Sequence, residues 1–161
     1  MEDKTKKKKH YRPNVAAIVM SPKYPATCDV FIASRTDVED AWQFPQGGID
    51  KGEQPKEALF RELREEIGTD AIEIIAEYPE WVSYDFPPAI AEKMKPYDGQ
   101  IQRYYLVKLK QGAKINISKG KDAEFSQYKF VPIGKIFEHV TYFKRTVYKQ
   151  VLKYFRKEGY I

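Results

Sequence analysis

Apolar residues along the chain fall into two kinds of run. Some are short stretches of strand length, and two longer segments repeat their apolar positions every third or fourth residue. Val15–Met20 and Asp29–Ser34 read as strands joined by a loop that holds Pro22 and Pro25. Ala71–Glu77 and Trp81–Phe86 read as two more, parted at Pro79, with Gln102–Lys110 and Phe125–Val131 further on. Thr36–Ala41 predicts a polar connection into Trp42-Gln43-Phe44-Pro45, then a glycine turn at Gln46-Gly47-Gly48. Trp42 and Phe44 are expected in the core or a cleft wall. Pro87, Pro88, Pro96 and Gly99 make Pro87–Gln100 a loop or short helix.

The first periodic segment has a clear start and stop. Gln54 and Pro55 suit a helix N-terminus, because proline at the first helical position loses no needed donor. Gly68 suits the end, since glycine takes a left-handed cap without strain. Between them Leu59, Phe60, Leu63 and Ile67 share one arc, and Glu62, Glu65 and Glu66 share the arc beside it. The second periodic segment, Tyr142 to Arg156, places Phe143, Val147, Val151, Tyr154 and Phe155 on one face. Lys144, Arg145, Lys149 and Lys153 are expected outside that face. Strands around two amphipathic helices predict an α/β (or α+β) layered domain.

At 161 residues, 42% of them hydrophobic, the chain is expected to form one domain with its own core. The formal charge of +5 is uneven: residues 1–10 hold five Lys against Glu2 and Asp3, a net +3, which leaves +2 for residues 11–161. The folded body is therefore no strongly basic nucleic-acid binder, and residues 1–10 are expected to be a disordered, solubilising tail. A loose attraction of that tail to RNA phosphates is the other reading. Cys28 is the one cysteine, which excludes an internal disulfide and fits a reducing compartment. Its apolar neighbours suggest a core position. Val15–Met20 is far too short to cross a membrane, and no signal-type apolar region follows the Lys run. A cytoplasmic protein with no membrane partner is expected.

The acids on the first helix oppose helix stability. Like charges at i, i+3 and i, i+4 cost roughly 0.2–0.5 kcal/mol per pair, and acids in the last turn oppose the helix dipole. Glu57–Arg61 and Arg61–Glu65 offer a plain alternative as i, i+4 pairs on a solvated face. Against it stands the wider spacing: Gly47, five residues, Glu53, seven residues, then Arg61 through Thr69. At average residue frequencies the glycines, glutamates and arginine of that pattern coincide with a probability of about 10⁻⁹ per starting position. Hard oxygen ligands gathered beside a glycine-rich turn suit Mg²⁺ or Mn²⁺ held against phosphates. Arg61 reads as structural, tying the acids to the loop by bidentate bonds.

Gly47 to Thr69 resembles the Nudix box, departing from it only at Thr69, where an aliphatic residue is usual. The resemblance implies an α/β/α sandwich with a central mixed sheet over residues 11–161. It also implies a hydrolase acting on a nucleoside diphosphate linked to another group. Glu62, Glu65 and Glu66 would be metal ligands, one of them also activating water, with Glu53 in support. A carbonyl of the Gln46–Gly48 turn, such as that of Gly47 or Gly48, would add a ligand, and more than one ion would bind. An acid at Glu124 would be a further ligand or base; its alternative is an ordinary loop acid, and Asp122 is the weaker candidate.

Tyr11-Arg12-Pro13-Asn14-Val15, Trp42 through Ile49, and Phe143-Lys144-Arg145 resemble the RNA pyrophosphohydrolase branch of that family. Members of that branch remove pyrophosphate from 5′-triphosphorylated RNA and leave a monophosphate, which initiates mRNA decay. Arg35 and Phe143 would hold the second nucleotide, with Tyr84 and Lys144 nearby, and Arg12 and Gln102 along the phosphates. Base–aromatic stacking, worth roughly 1–3 kcal/mol per base, would favour an RNA end over a free triphosphate. Each has a plain alternative: Phe143 and Tyr84 as packing, Arg35 and Lys144 as solvated surface charges. The competing functions are a dinucleoside polyphosphate (diadenosine tetraphosphate) hydrolase and a non-catalytic Nudix-fold module that binds RNA ends. His10 and His139 show no metal or triad spacing.

Overall fold

A computed structural model describes residues 8–36, 41–118, 125–140 and 142–161. Its frame is set by β1 (Tyr11–Met20), whose side chains alternate between two cores. Val15, Ala17 and Val19 face one, and Ala16, Ile18 and Met20 face the other. β1 pairs in parallel with β7 (Gly99–Leu109), which alternates likewise: Tyr105, Val107 and Leu109 on one side, Tyr104 and Leu106 on the other. The other pairings between named strands among the described residues are antiparallel, so the sheet is mixed. Among the described residues it has eight strands, with β2 (Asp29–Arg35) beside β1 and β5 (Ile72–Glu77) beside β7. β3 (Trp42–Gln43) and β8 (Phe125–Pro132) pair with β2, and β6 (Val82–Asp85) pairs with β7.

Helix α1 (Pro55–Ile67) covers the first face with Ala58, Leu59, Leu63 and Ile67, all buried. Burying a side chain the size of Leu or Ile contributes about 1.5–3 kcal/mol. Its start is closed by the Gln54 N–H donating to Glu57 Oε1 at 3.2 Å. Its end is closed by Gly68 at φ 78°, where a side chain would be strained and would also meet the Asn116 carbonyl. Helix α3 (Arg145–Lys157) covers the opposite face with Val147, Tyr148, Val151, Leu152 and Phe155. The expected mixed sheet between helices is what the structure shows.

Three local expectations change. Gln46–Gly48 is a strand, β4, hydrogen-bonded to Asn14–Ala16 of β1, because a pairing partner far along the chain holds it extended. Pro87–Gln100 holds the expected short helix, α2 (Pro88–Lys93), but β7 begins at Gly99, earlier than the strand expected from Gln102. The terminal helix begins with a 3₁₀ turn at Tyr142–Lys144, which turns about 120° per residue rather than 100°. Lys144 lies inward and is 4% exposed, against the expectation of an outer position; at about 100° per residue it falls in line with the buried Tyr148, Val151 and Phe155. Phe60 is half-buried, and Cys28 packs at the edge of the core.

Of residues 1–10, only 8–10 are described. There Lys9 pairs with Asp85, and the His10 carbonyl accepts from the Asp98 N–H at 2.7 Å. No described helix is long and apolar enough to cross a membrane.

Candidate active site

β1 and β2 pair at Met20 and Val30, and β4 lies against the other half of β1. Where β4 passes α1, the missing side chain of Gly47 makes room for a carboxylate. A Cβ on Gly47 would lie 1.9 Å from the Glu62 carboxyl carbon. One helical turn on, Glu66 is 6% exposed and its Oε2 accepts the Gln46 main-chain N–H at 3.2 Å. Glu62 and Glu66 therefore press against Gln46–Gly47 from the same helix face. Glu65 leans outward, its side chain 59% exposed.

Arg61 binds this corner together. Its Nε donates to Glu53 Oε2 and its Nη2 to Glu53 Oε1, both at 2.8 Å. Nη2 also donates to the Gly48 carbonyl at 2.7 Å, and Nη1 reaches Glu62 Oε1 at 2.8 Å and Glu65 Oε2 at 3.3 Å. The guanidinium fork is needed here, since one planar group serves four partners at once. Its bonds to Glu53, with a further bond from the Asp50 N–H, hold the Glu53 carboxyl down at about 2. The same carboxylates raise Arg61 far above its usual range.

On the other side of β4 lies a cleft of about 160 Å³, walled by Arg35, Tyr84, Phe86, Ile90, Phe143 and Lys144 among others. Among the described residues its charged lining is Arg35, Lys93 and Lys144, with no carboxylate. The Tyr84 and Phe143 rings lie 6.0 Å apart, and the Lys144 ammonium stands 5.7 Å from the Phe143 ring. Beneath them runs a chain of buried amides. Lys144 Nζ donates to Gln43 Oε1 at 2.6 Å, Gln102 Nε2 donates to Asn14 Oδ1 at 2.8 Å, and the Tyr84 hydroxyl donates to Gln100 Oε1 at 2.6 Å. Burial pushes the Tyr84 hydroxyl up to about 12, against the lowering influence of Gln46 and the Arg35 charge.

The structure thus brings Glu53, Arg61, Glu62, Glu65, Gly47 and Gly48 into one corner, with Glu66 behind them. It gathers Arg35, Tyr84, Phe143 and Lys144 around one cleft. Arg12 is half-buried with its guanidinium against Gly48, where a Cβ would lie 2.4 Å from Nη2. Gln102 is fully buried within the amide chain. Glu124 and Asp122 lie outside the described residues. Asn14, Gln43, Gln46 and Gln100 carry the amide chain; three of them were missed as site residues, and Gln46 was weighed only for a main-chain carbonyl. The signal was present: Gln100, Gln102 and Tyr104 occupy successive same-face positions of one strand, polar where alternation calls for core.

The donor set is all oxygen, which fits a hard divalent cation. Glu62 and Glu66 are half-buried and buried carboxylates beside a glycine cradle, a placement with no packing benefit of its own. Among the described residues no three such groups converge on one point, with Glu65 turned toward Arg61. A cation there would draw on Glu62 and Glu66, while Glu65 is held by Arg61.

A mixed sheet between two helices, an acid-faced helix against a glycine strand, and the matched spacing define the class. The NUDIX domain profile matches residues 10–153, and the chain belongs to that family. It is 69% identical to an RNA pyrophosphohydrolase of a Nitratiruptor species, over 95% of this chain and 98% of the relative. An RNA pyrophosphohydrolase of Helicobacter pylori is 56% identical, over 95% of this chain and 98% of that one. Among solved structures, the E. coli dihydroneopterin triphosphate pyrophosphohydrolase superposes with a TM-score of 0.69 at 17% identity, covering 90% of this chain and 99% of that one. A C. elegans Ap4A hydrolase in a binary complex gives 0.68 at 16%, covering 91% and 98%. These two likenesses speak for the fold alone.

Proposed function

We propose that this chain is a metal-dependent hydrolase that removes pyrophosphate from the 5′ end of triphosphorylated RNA. The product is 5′-monophosphate RNA, and the reaction initiates mRNA decay in the cytoplasm. The observation that carries the reading is the junction at β4: a carboxylate-bearing helix on one side and, on the other, a cationic cleft with two aromatic rings. Near full-length similarity to chains named RNA pyrophosphohydrolase supports the substrate.

In this reading Glu62, Glu65 and Glu66 would hold Mg²⁺ or Mn²⁺, more than one ion, with a carbonyl of Gly47 or Gly48 as a further ligand and Glu124 as a ligand or base. When bound, such ions neutralise charge on the attacking and leaving oxygens. A carboxylate of α1 takes a proton from the attacking water, whose oxygen bonds to phosphorus as the pyrophosphate P–O bond breaks. Glu53 acts through Arg61, which holds Glu62 and the Gly48 carbonyl in place. Gly68 ends α1 so that the acids fall in its last turns. Arg12 lies along the phosphates, Gln102 acts from the buried amide chain through its bond to Gln46, and Arg35, Tyr84, Phe143 and Lys144 receive the second nucleotide.

The test is a side-by-side assay in Mg²⁺ of short 5′-triphosphorylated RNA and diadenosine tetraphosphate. Faster conversion of the RNA to monophosphate supports the proposal. Preference for the dinucleotide assigns the chain to dinucleoside polyphosphate hydrolysis, and no turnover of either leaves a binding module.

A further inference from the structure

Gln46 stands at the junction between the two halves of the site. Its main-chain N–H donates to Glu66 Oε2 at 3.2 Å, on the α1 side of the sheet. Its side chain enters the opposite layer, where Nε2 donates to Gln100 Oε1 at 3.0 Å. Its Oε1 accepts from Gln102 Nε2 at 3.1 Å and from the Lys144 ammonium at 3.4 Å. One residue is bonded both to a carboxylate of α1 and to the floor of the cleft.

The direction of these bonds is fixed from the Lys144 end of the chain. The Tyr84 hydroxyl donates to Gln100 Oε1 and the Tyr104 hydroxyl to Gln102 Oε1, at 2.6 and 2.7 Å. A phenol can also accept, so the direction is set by Lys144, which faces both Gln43 Oε1 and Gln46 Oε1. Lys144 has only donors to offer. Turning over the Gln46 amide would point its NH₂ at the Lys144 ammonium and at Gln102 Nε2. A single orientation stands, and buried bonds linked in this way strengthen one another.

We infer that Gln46 is a positioning residue: it holds Glu66 at a set place relative to the cleft, so that a base seated there aligns the phosphate chain with the carboxylate. This rests on the proposed reading that the cleft receives an RNA base. The base then contributes to the chemical step as well as to binding, because alignment is expressed in the transition state.

The kinetic test compares the parent with Gln46→Leu and Tyr84→Phe in saturating Mg²⁺. The substrates are a 5′-triphosphorylated dinucleotide RNA and a nucleoside triphosphate, which has no second base. Tyr84→Phe keeps the ring and removes only the hydroxyl that pins Gln100, so it serves where Gln46→Leu folds poorly. The kcat advantage of RNA over the nucleoside triphosphate should fall roughly tenfold in the variants, with the RNA preference in KM largely kept. Equal losses of kcat on both substrates, or a change confined to KM, would overturn the inference.

A second readout needs no turnover: the Gln46 main-chain amide resonance of metal-free protein titrated with 5′-monophosphorylated dinucleotide RNA. It should shift in the parent and respond less than half as much in Tyr84→Phe, while the Phe143 amide responds in both. A Phe143 response without one at Gln46 in the parent overturns the inference alone. No response at either overturns the base-cleft reading and this inference with it.

Discussion

Arg61 and Glu53 form a two-point ion pair, with Nε and Nη2 each 2.8 Å from a different carboxylate oxygen. The pair fastens the loop before α1 to the helix itself, and the remaining donors of Arg61 reach Gly48 and Glu62. A lysine offers a point charge in place of the fork. Arg61→Lys should therefore lose about 2 kcal/mol of stability, read by urea denaturation, since bonds to charged groups are worth about 1.5–3 kcal/mol each and Lys keeps part of one. Hydrolysis should fall roughly a hundredfold as Glu62 shifts. Unchanged values for both would remove Arg61 from the centre of the site.

The same pair sets a pH dependence. Glu53 is held at about 2 in the folded chain, below its ordinary 4.5, chiefly by Arg61. A depressed carboxylate stabilises the fold fully above the unfolded value, and that stabilisation drains away as pH falls through the folded value. The stability gap between the parent and Glu53→Gln should be constant above about pH 5 and close between about 4.5 and 2. Denaturation series at several pH values check this; a gap that widens toward acid contradicts it.

Gly47 and Gly52 separate close approach from backbone strain. Gly47→Ala puts a Cβ 1.9 Å from the Glu62 carboxyl carbon, so Glu62 must leave its place. Activity should drop roughly a hundredfold. Gly52 has φ 82° with open space around it, so Gly52→Ala should cost about 1 kcal/mol of stability and leave hydrolysis intact. Kinetics and melting of the two variants, run together, test the distinction.

Phe143 forms one wall of the cleft beside Tyr84. Base–aromatic stacking is worth roughly 1–3 kcal/mol, so Phe143→Ala should lower kcat/KM for triphosphorylated RNA by about tenfold or more. A nucleoside triphosphate, lacking the second base, should be spared most of that loss. Equal losses would make Phe143 a packing residue.

Local signals made α1 readable to within a residue. Pro55 opens it, Gly68 closes it, and the stripe of Leu59, Leu63 and Ile67 is buried as its spacing requires. β4 was not readable as a strand, because Gln46–Gly48 lacks strand-forming residues and is held by pairing with Asn14–Ala16. Lys144 was misplaced for a different reason: its charge was given more weight than its register, which lines it up with the buried Tyr148, Val151 and Phe155. The glutamines of the cleft floor look like surface residues one at a time. Only the parallel pairing of β1 with β7, which sets Asn14 opposite Gln102, makes them a buried network.

The most direct measurement is pyrophosphate release from 5′-triphosphorylated RNA by the parent and by Glu66→Gln at saturating Mg²⁺. The buried Glu66 carboxylate lies one helical turn from Glu62 and against Gln46, and its amide analogue keeps the shape while losing the charge. The account predicts monophosphate RNA and pyrophosphate from the parent and a loss of at least about a hundredfold in the variant. Hydrolysis at the parent's rate by Glu66→Gln would contradict it.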